Sequence, residues 1–241
     1  MSRFVVKFGG SSVADPKKLY AASRKLAALR RQGHEVIGVL SAQGKATDSL
    51  LARAREIDPD CKGRELDALL ATGEQCSVSL CAMALGRLGM DVVGLCGWQA
   101  GLLTDGNHGS ARVRRLDHDR ILRELDKGRI VLVAGFQGVN EEGDMTTLGR
   151  GGSDTTAVAL AAFLHADVCR IYTDVDGVYD RDPRKYPNAV KYDHISYDDM
   201  LTLARGGAGV LHDRCVELAK QYGVCIEVRS SFTDGEGTMV Y

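Results

Sequence analysis

Lys7 interrupts the apolar run Phe4-Val5-Val6-Lys7-Phe8 and is followed at once by Gly9-Gly10-Ser11-Ser12. Glycines let backbone N–H groups close on an anion, and hydroxyls add donors. An ammonium in an apolar run is costly unless it faces negative charge. The stretch reads either as a phosphate site with a positioned lysine or as a strand, a turn and a surface lysine. A second glycine-rich junction is Leu148-Gly149-Arg150-Gly151-Gly152-Ser153-Asp154-Thr155-Thr156. It opens an Ala- and Val-rich helix with Ser153 as expected N-cap, and its N–H groups and Arg150 suit an anion. It is no dinucleotide fingerprint, because Asp154 stands where the third glycine belongs. Asp174-Val175-Asp176-Gly177-Val178-Tyr179-Asp180-Arg181-Asp182-Pro183-Arg184 suits either a nucleotide pocket or a solvated loop. Thr72-Gly73-Glu74-Gln75 reads as a capping box with Glu74 in the first helical turn. The alternative is that Glu74 faces a cleft and binds a substrate ammonium. Residues 41–48 imitate a phosphate loop, but Ala46 stands where Ser or Thr would hold magnesium, so that reading is rejected.

These groups need elements to hold them. Residues 4–8 are apolar and β-branched, as in a strand buried on both faces of a parallel sheet. Asp15-Pro16 predicts a helix start, Asp as N-cap and Pro at the first helical position. Leu19, Ala22, Leu26 and Leu29 form its apolar stripe, Gly33 ends it, and 35–40 is the next strand. Strand, helix, strand with short joints is a βαβ unit and implies a parallel sheet. Helices are expected at about 48–57 and 64–88, the second broken near Gly73. Further strands are expected at 91–96, 130–134, 168–173 and 224–228, and a hairpin turn at Gly143-Asp144. Asp117 and Ser196 are expected to cap two helices, the latter broken at Gly206-Gly207. A last helix spans 210–222, and 97–112 reads as a long polar loop. In open α/β sheets ligands bind beyond the carboxyl ends of strands, where Lys7 and the loop from Ser41 fall.

The 241 residues suffice for one large domain or two small ones. A net charge of −1 gives no reason to expect nucleic acid or a membrane surface as partner. No uncharged apolar run has the length of a membrane span, and the N-terminus enters a strand directly rather than a signal peptide. Seven scattered cysteines without a C-x-x-C pair suit reduced thiols in a cytoplasmic protein. A zinc site would need clustered ligands, which are absent.

The motifs, taken in order, resemble the aspartokinase catalytic domain. They are Lys7-Phe8-Gly9-Gly10-Ser11-Ser12-Val13, Thr72-Gly73-Glu74-Gln75, Val133-Ala134-Gly135-Phe136-Gln137-Gly138, Thr147 to Thr156, Tyr172 to Tyr179, and Glu227-Val228-Arg229-Ser230-Ser231-Phe232. The Thr-Asp-Val-Asp-Gly-Val-Tyr stretch is shared with uridylate kinases and marks only the superfamily. The resemblance implies an α/β fold, a three-layer αβα sandwich with a mostly parallel sheet, the amino-acid kinase fold. It implies one domain over 1–241, with an N-terminal lobe (about 1–145) for the amino acid and a C-terminal lobe (about 146–241) for ATP. The implied reaction is phosphorylation of the L-aspartate side-chain carboxylate by ATP and Mg2+, the first step toward lysine, threonine and methionine. Lys7 would reach the transferred phosphoryl group, with Phe8, Gly9, Gly10 and Ser11 about the phosphates and Ser41 near ATP. Thr47, Glu74 and Arg150 would hold aspartate, with Gly151, Gly152, Ser153 and Asp154 closing that pocket. Thr173, Asp174, Tyr179 and Arg184 would hold the nucleotide. Lys7, Glu74 and Asp154 are the expected catalytic residues, and a homodimer is expected by the same resemblance.

Two departures stand out. The family usually has a lysine on ATP phosphates where this chain has Gly209. Most aspartokinases continue into regulatory ACT domains beyond the closing strand, so none is expected within these residues, nor feedback control by lysine or threonine. A kinase of another small amino acid, or a weak nucleotide- or aspartate-binding regulatory partner, are the alternatives.

Overall fold

Strand β1 (Arg3–Phe8) lies inside an eight-stranded sheet, between β2 (Glu35–Leu40) and β9 (Val168–Thr173), parallel to both. The computed structural model describes residues 1–183, 185–207 and 210–241, so the expectations for Arg184 and Gly209 lie outside the described residues. The other strands of this sheet are β3 (Val92–Leu95), β6 (Ile130–Ala134), β10 (His194–Ile195), β11 (Ile226–Ser230) and β12 (Thr238–Val240). The order is β10-β12-β11-β9-β1-β2-β6-β3, and among the described residues only the β11–β12 pair of this sheet is antiparallel. The chain leaves β1 toward β2 and returns on the other side as β9. That reversal makes a crevice at the carboxyl edge, where such sheets bind ligands.

Helices cover both faces. α1 (Pro16–Arg31) and α3 (Arg64–Arg87) bury Leu19, Leu26, Val78, Cys81 and Leu85 against Val6, Phe8, Leu40 and Leu132. α4 (Asp119–Asp126), α5 (Gly152–Phe163), α6 (Tyr197–Arg205) and α7 (Asp213–Tyr222) build the opposite core with Val5, Ile37, Val131 and Ile171. α2 (Ala46–Ile57) has no buried residue and leans on α3. Asp15 caps α1 by accepting from the Lys18 N–H at 2.9 Å, and Ser196 caps α6 through the Asp199 N–H at 3.1 Å, both as expected.

Several expectations fail for physical reasons. α3 runs unbroken through Gly73, and Thr72 is no cap: its hydroxyl donates to the Leu69 carbonyl at 2.7 Å. Packing on both sides overrides the weak propensity of one glycine. Residues 97–112 are not one loop. They contain β4 (Leu102–Thr104), which with β5 (Val113–Leu116), β7 (Gln137–Val139) and β8 (Met145–Thr147) forms a second, four-stranded sheet. Strands of three or four residues show too little periodicity to read, and the β4–β7 pairing that joins them into a sheet is non-local. The β7–β8 hairpin does turn at Gly143, at φ +85°. Ser153 lies in the first turn of α5, and the cap is Gly151 in the left-handed region at φ 67°. α7 starts at Asp213 rather than 210, and His118 rather than Asp117 precedes α4. α3 is long and apolar enough to cross a membrane by length and composition, yet half of its apolar window is buried in the molecule.

Candidate active site

The parallel strands β1, β2 and β6 end together at one edge, where the end of β1, the turns after β2 and β6, and the junction before α5 line a cavity of about 320 Å³. Its walls are Lys7, Ser41, Ala42, Thr47, Glu74, Phe136, Gly149, Gly151, Gly152, Ser153 and Asp154. Lys7, penultimate in β1, is 8% exposed, and its ammonium stands 2.5 Å from Asp154 Oδ1. The two side chains form an ion pair in the cavity wall. The backbone turn after β1 is held tightly. Gly9 donates to the Tyr172 carbonyl at 3.3 Å and Gly44 donates to the Gly10 carbonyl at 3.0 Å. A Cβ on Gly10 would stand 2.7 Å from the Ala42 carbonyl oxygen, so only glycine fits there.

Glu74 is the second pole. It sits on the buried face of α3, 3% exposed, and its Oε1 accepts from the Ala42 N–H at 3.0 Å. Its Oε2 is buried without a partner. Burial pushes its pKa up to about 7, opposed by backbone hydrogen bonds. Gly73 permits this placement, since a Cβ there would meet the Ala42 Cβ at 2.9 Å. Helix and loop therefore touch at Gly73 and Ala42, which aims the next side chain at the cavity.

The junction from β8 to α5 forms the remaining wall. Gly149 and Gly151 hold φ of +75° and +67°, and Gly151 packs on the His212 side chain. Phe136 holds φ 68°, which a bulky residue adopts only when its surroundings enforce it. Its ring lies where a Cβ on Gly152 would come within 2.8 Å.

A second cavity of about 370 Å³ follows β9, lined by Asp174, Val175, Gly177, Tyr179, Asp180, Arg181, Asp182, Pro183 and, from α6 and beyond, Thr202, Leu203, Gly206, Gly207 and Val210. Its lining mixes the apolar Val175, Pro183, Leu203 and Val210 with hydrogen-bonding groups, which suits a flat heteroaromatic ring with polar substituents. Tyr179 donates to Asp176 at 2.8 Å and Thr173 to Asp174 at 3.2 Å.

The structure thus gathers Lys7, Ser41, Thr47, Glu74 and Gly151 to Asp154 in one cavity and Asp174 and Tyr179 in the other. Gly9 and Gly10 turn beside the first. Phe8 is fully buried and stacks on Tyr172 at 4.9 Å between centroids, so it supports the wall rather than lining it. Ser11 and Arg150 are exposed and line neither cavity, and Thr173 stands beside the second. Sequence reasoning missed Ala42, Phe136 and the α6 wall. The Gly206-Gly207 pair was the available signal for the last of these. Among the described residues no three His, Cys, Asp or Glu groups cluster as a metal site.

A doubly covered, mostly parallel sheet with two cavities on its carboxyl edge defines an α/β ligand-binding class. The chain belongs to the amino acid kinase family, which it matches over residues 2–230. Aspartokinase 2 of Bacillus subtilis is 52% identical over 240 residues, covering 100% of this chain and 59% of that protein. This chain therefore spans 59% of the length of that curated relative. The aspartate kinase structure from Synechocystis superposes with a TM-score of 0.89 at 42% identity, over 99% of this chain and 39% of that one. E. coli aspartokinase III in complex with aspartate and ADP gives a TM-score of 0.89 at 26% identity, over 100% of this chain and 64% of that one.

Proposed function

We propose that this chain carries the catalytic site of an aspartokinase, which transfers the γ-phosphoryl group of ATP to the side-chain carboxylate of L-aspartate. The observation that carries this reading is the single cavity in which a lysine–aspartate pair faces a buried glutamate with an unpartnered oxygen. The likeness to aspartokinases, one of them bound to aspartate and ADP, supports the same acceptor and donor.

The acceptor carboxylate, with a pKa near ~4, is already ionised at pH 7 and needs no general base. One of its oxygens attacks the γ-phosphorus, the bond to the β–γ bridging oxygen breaks, and ADP leaves with that electron pair. The products are 4-phospho-L-aspartate and ADP. The protein's task is to bring two anions together and neutralise their charge during transfer. Lys7 is placed for that neutralisation, and the N–H groups at the start of α5 add to it. Glu74 Oε2 takes the substrate ammonium, beside Thr47. Arg150, on the adjoining turn, is the fork for a substrate carboxylate. Asp174 and Tyr179 hold the nucleotide in the second cavity, dividing the molecule into an amino-acid lobe and an ATP lobe.

Mg2+ fits this donor set. Magnesium is commonly held by substrate phosphates with one or two carboxylates, and Asp154, in the cavity wall, would supply one. When bound, the ion adds positive charge at the transferring phosphoryl group. We infer also that the protein works in the cytoplasm as a homodimer.

Phosphorus-31 NMR of the protein with Mg-ATP and, in turn, aspartate, glutamate and uridine monophosphate tests the acceptor. An acyl-phosphate signal with aspartate alone is expected. Transfer to another acceptor, with none to aspartate, would overturn the assignment.

A further inference from the structure

The geometry points to Asp67 as a positioning residue for the amino-acid pocket, an inference that rests on the aspartate-kinase reading. Asp67 is 1% exposed and touches neither cavity. A buried carboxylate is costly unless donors surround it, and here they come from two separate segments. Gly109 N–H donates to both oxygens at 3.1 and 3.0 Å. Thr147 donates through its N–H to Oδ2 at 2.8 Å and through its hydroxyl to Oδ1 at 2.7 Å. His108 Nδ1 stands 3.1 Å from Oδ2.

What these bonds hold is informative. Thr147 is the last residue of β8, and the cavity wall Gly149 to Asp154 begins two residues later. The Gly109 segment is the other support of that wall. Ala111 donates to the Thr147 carbonyl at 2.9 Å, and a Cβ on Gly149 would stand 3.0 Å from the Gly109 carbonyl oxygen. Arg214, from α7, also bridges the same two segments, donating to Leu148 O at 2.8 Å and Ala111 O at 2.9 Å.

Asp67 and Glu74 lie seven residues apart on α3, two turns and hence one face. One helix face therefore supplies the ammonium partner and, two turns earlier, the anchor of the turn that carries Arg150. Asp67 fixes the distance between the two ends of the amino-acid clamp. A shift of an ångström in such a clamp is costly because the reacting atoms must meet in near-attack geometry. The sequence alone hides this role, since Asp67 falls in the first turn of a helix, where acids are common.

Asp67→Asn keeps the size but turns an amide NH2 toward donors. It is expected to raise the KM for aspartate roughly tenfold to a hundredfold, while the KM for ATP stays within about twofold. Thr147→Val should move the aspartate KM in the same direction by a smaller factor, and Thr147→Ser should restore it. A lower melting temperature with both KM values unchanged would reduce Asp67 to a stability element and overturn the proposal. Hydrogen exchange provides a readout independent of the acceptor. The amides of 147–152 should exchange about tenfold faster in Asp67→Asn or Thr147→Val than in the parent, with the amides of α3 unchanged. Unaltered exchange in the turn would also overturn it. If aspartate is no substrate of the parent protein but the turn loosens selectively, the acceptor assignment fails and the positioning role stands.

Discussion

Glu74 holds its carboxylate where water cannot solvate it, and that placement has opposite effects on binding and stability. Its pKa stands at about 7 against an ordinary 4.5, through burial. An acid whose folded pKa exceeds its unfolded one binds its proton more tightly when folded. Its contribution to stability is thus neutral below about 4.5 and becomes unfavourable as pH rises toward 7. Glu74→Gln keeps an acceptor for the Ala42 N–H and removes the buried charge. We expect it to raise stability at pH 8 by on the order of 2 kcal/mol, with little effect at pH 4.5, measured by urea unfolding at both values. We also expect it to weaken aspartate binding at pH 8. Equal stability of the two proteins at pH 8 would show that Glu74 carries no buried charge. In the parent, aspartate affinity should fall as pH drops below about 7, because a protonated Glu74 cannot pair with an ammonium. A titration flat from pH 8 to pH 6 would remove Glu74 from that role. Residue types were largely legible here: the Lys7 run, the glycine junction and Glu74 were each visible as candidates. The partners were not, because the Ala42 N–H and the unpartnered Oε2 are products of tertiary packing.

At the scale of elements, α3 is the part that the residues described least faithfully. Thr72-Gly73-Glu74-Gln75 looks like a helix start because Thr and Gln have capping spacing and glycine weakens a helix. Packing reverses that reading. The glycine is there for the close approach of Ala42, and the helix continues through it. Gly73→Ala would gain about 1 kcal/mol of helix propensity. The new Cβ would meet the Ala42 Cβ at 2.9 Å, so the loop must move. We expect a net loss of about 1–2 kcal/mol in chemical denaturation, together with weaker aspartate binding as the Ala42 N–H leaves Glu74. A gain in stability with unchanged binding would mean that the loop yields freely. Elements with strong periodicity or caps, such as α1 behind Asp15-Pro16 and the buried strands, were legible. Of the second sheet, the β7–β8 hairpin was legible at Gly143-Asp144, but its joining to β4 was not, since Leu103 and Val139 pair across a long stretch of sequence.

For the whole molecule, strand order matters more than any single motif. Placing β1 between β2 and β9 brings Lys7 beside the turn that leads to Asp174, so the two cavities share one edge of one sheet. The parallel arrangement follows from the βαβ unit and was legible. The antiparallel β12, between β11 and the edge strand β10, was not, because nothing in the sequence before it demands an extra strand. The amino acid kinase family is established by the match across 2–230, while the choice of acceptor rests on the cavity. The most direct test incubates the protein with Mg-ATP, L-aspartate and hydroxylamine, which traps an acyl phosphate as its hydroxamate, beside the Lys7→Ala variant. We predict aspartate-dependent hydroxamate from the parent, and a rate lower by roughly a hundredfold or more in Lys7→Ala. Folded, ATP-binding parent protein that forms no hydroxamate, or a variant that forms it equally fast, would contradict the account.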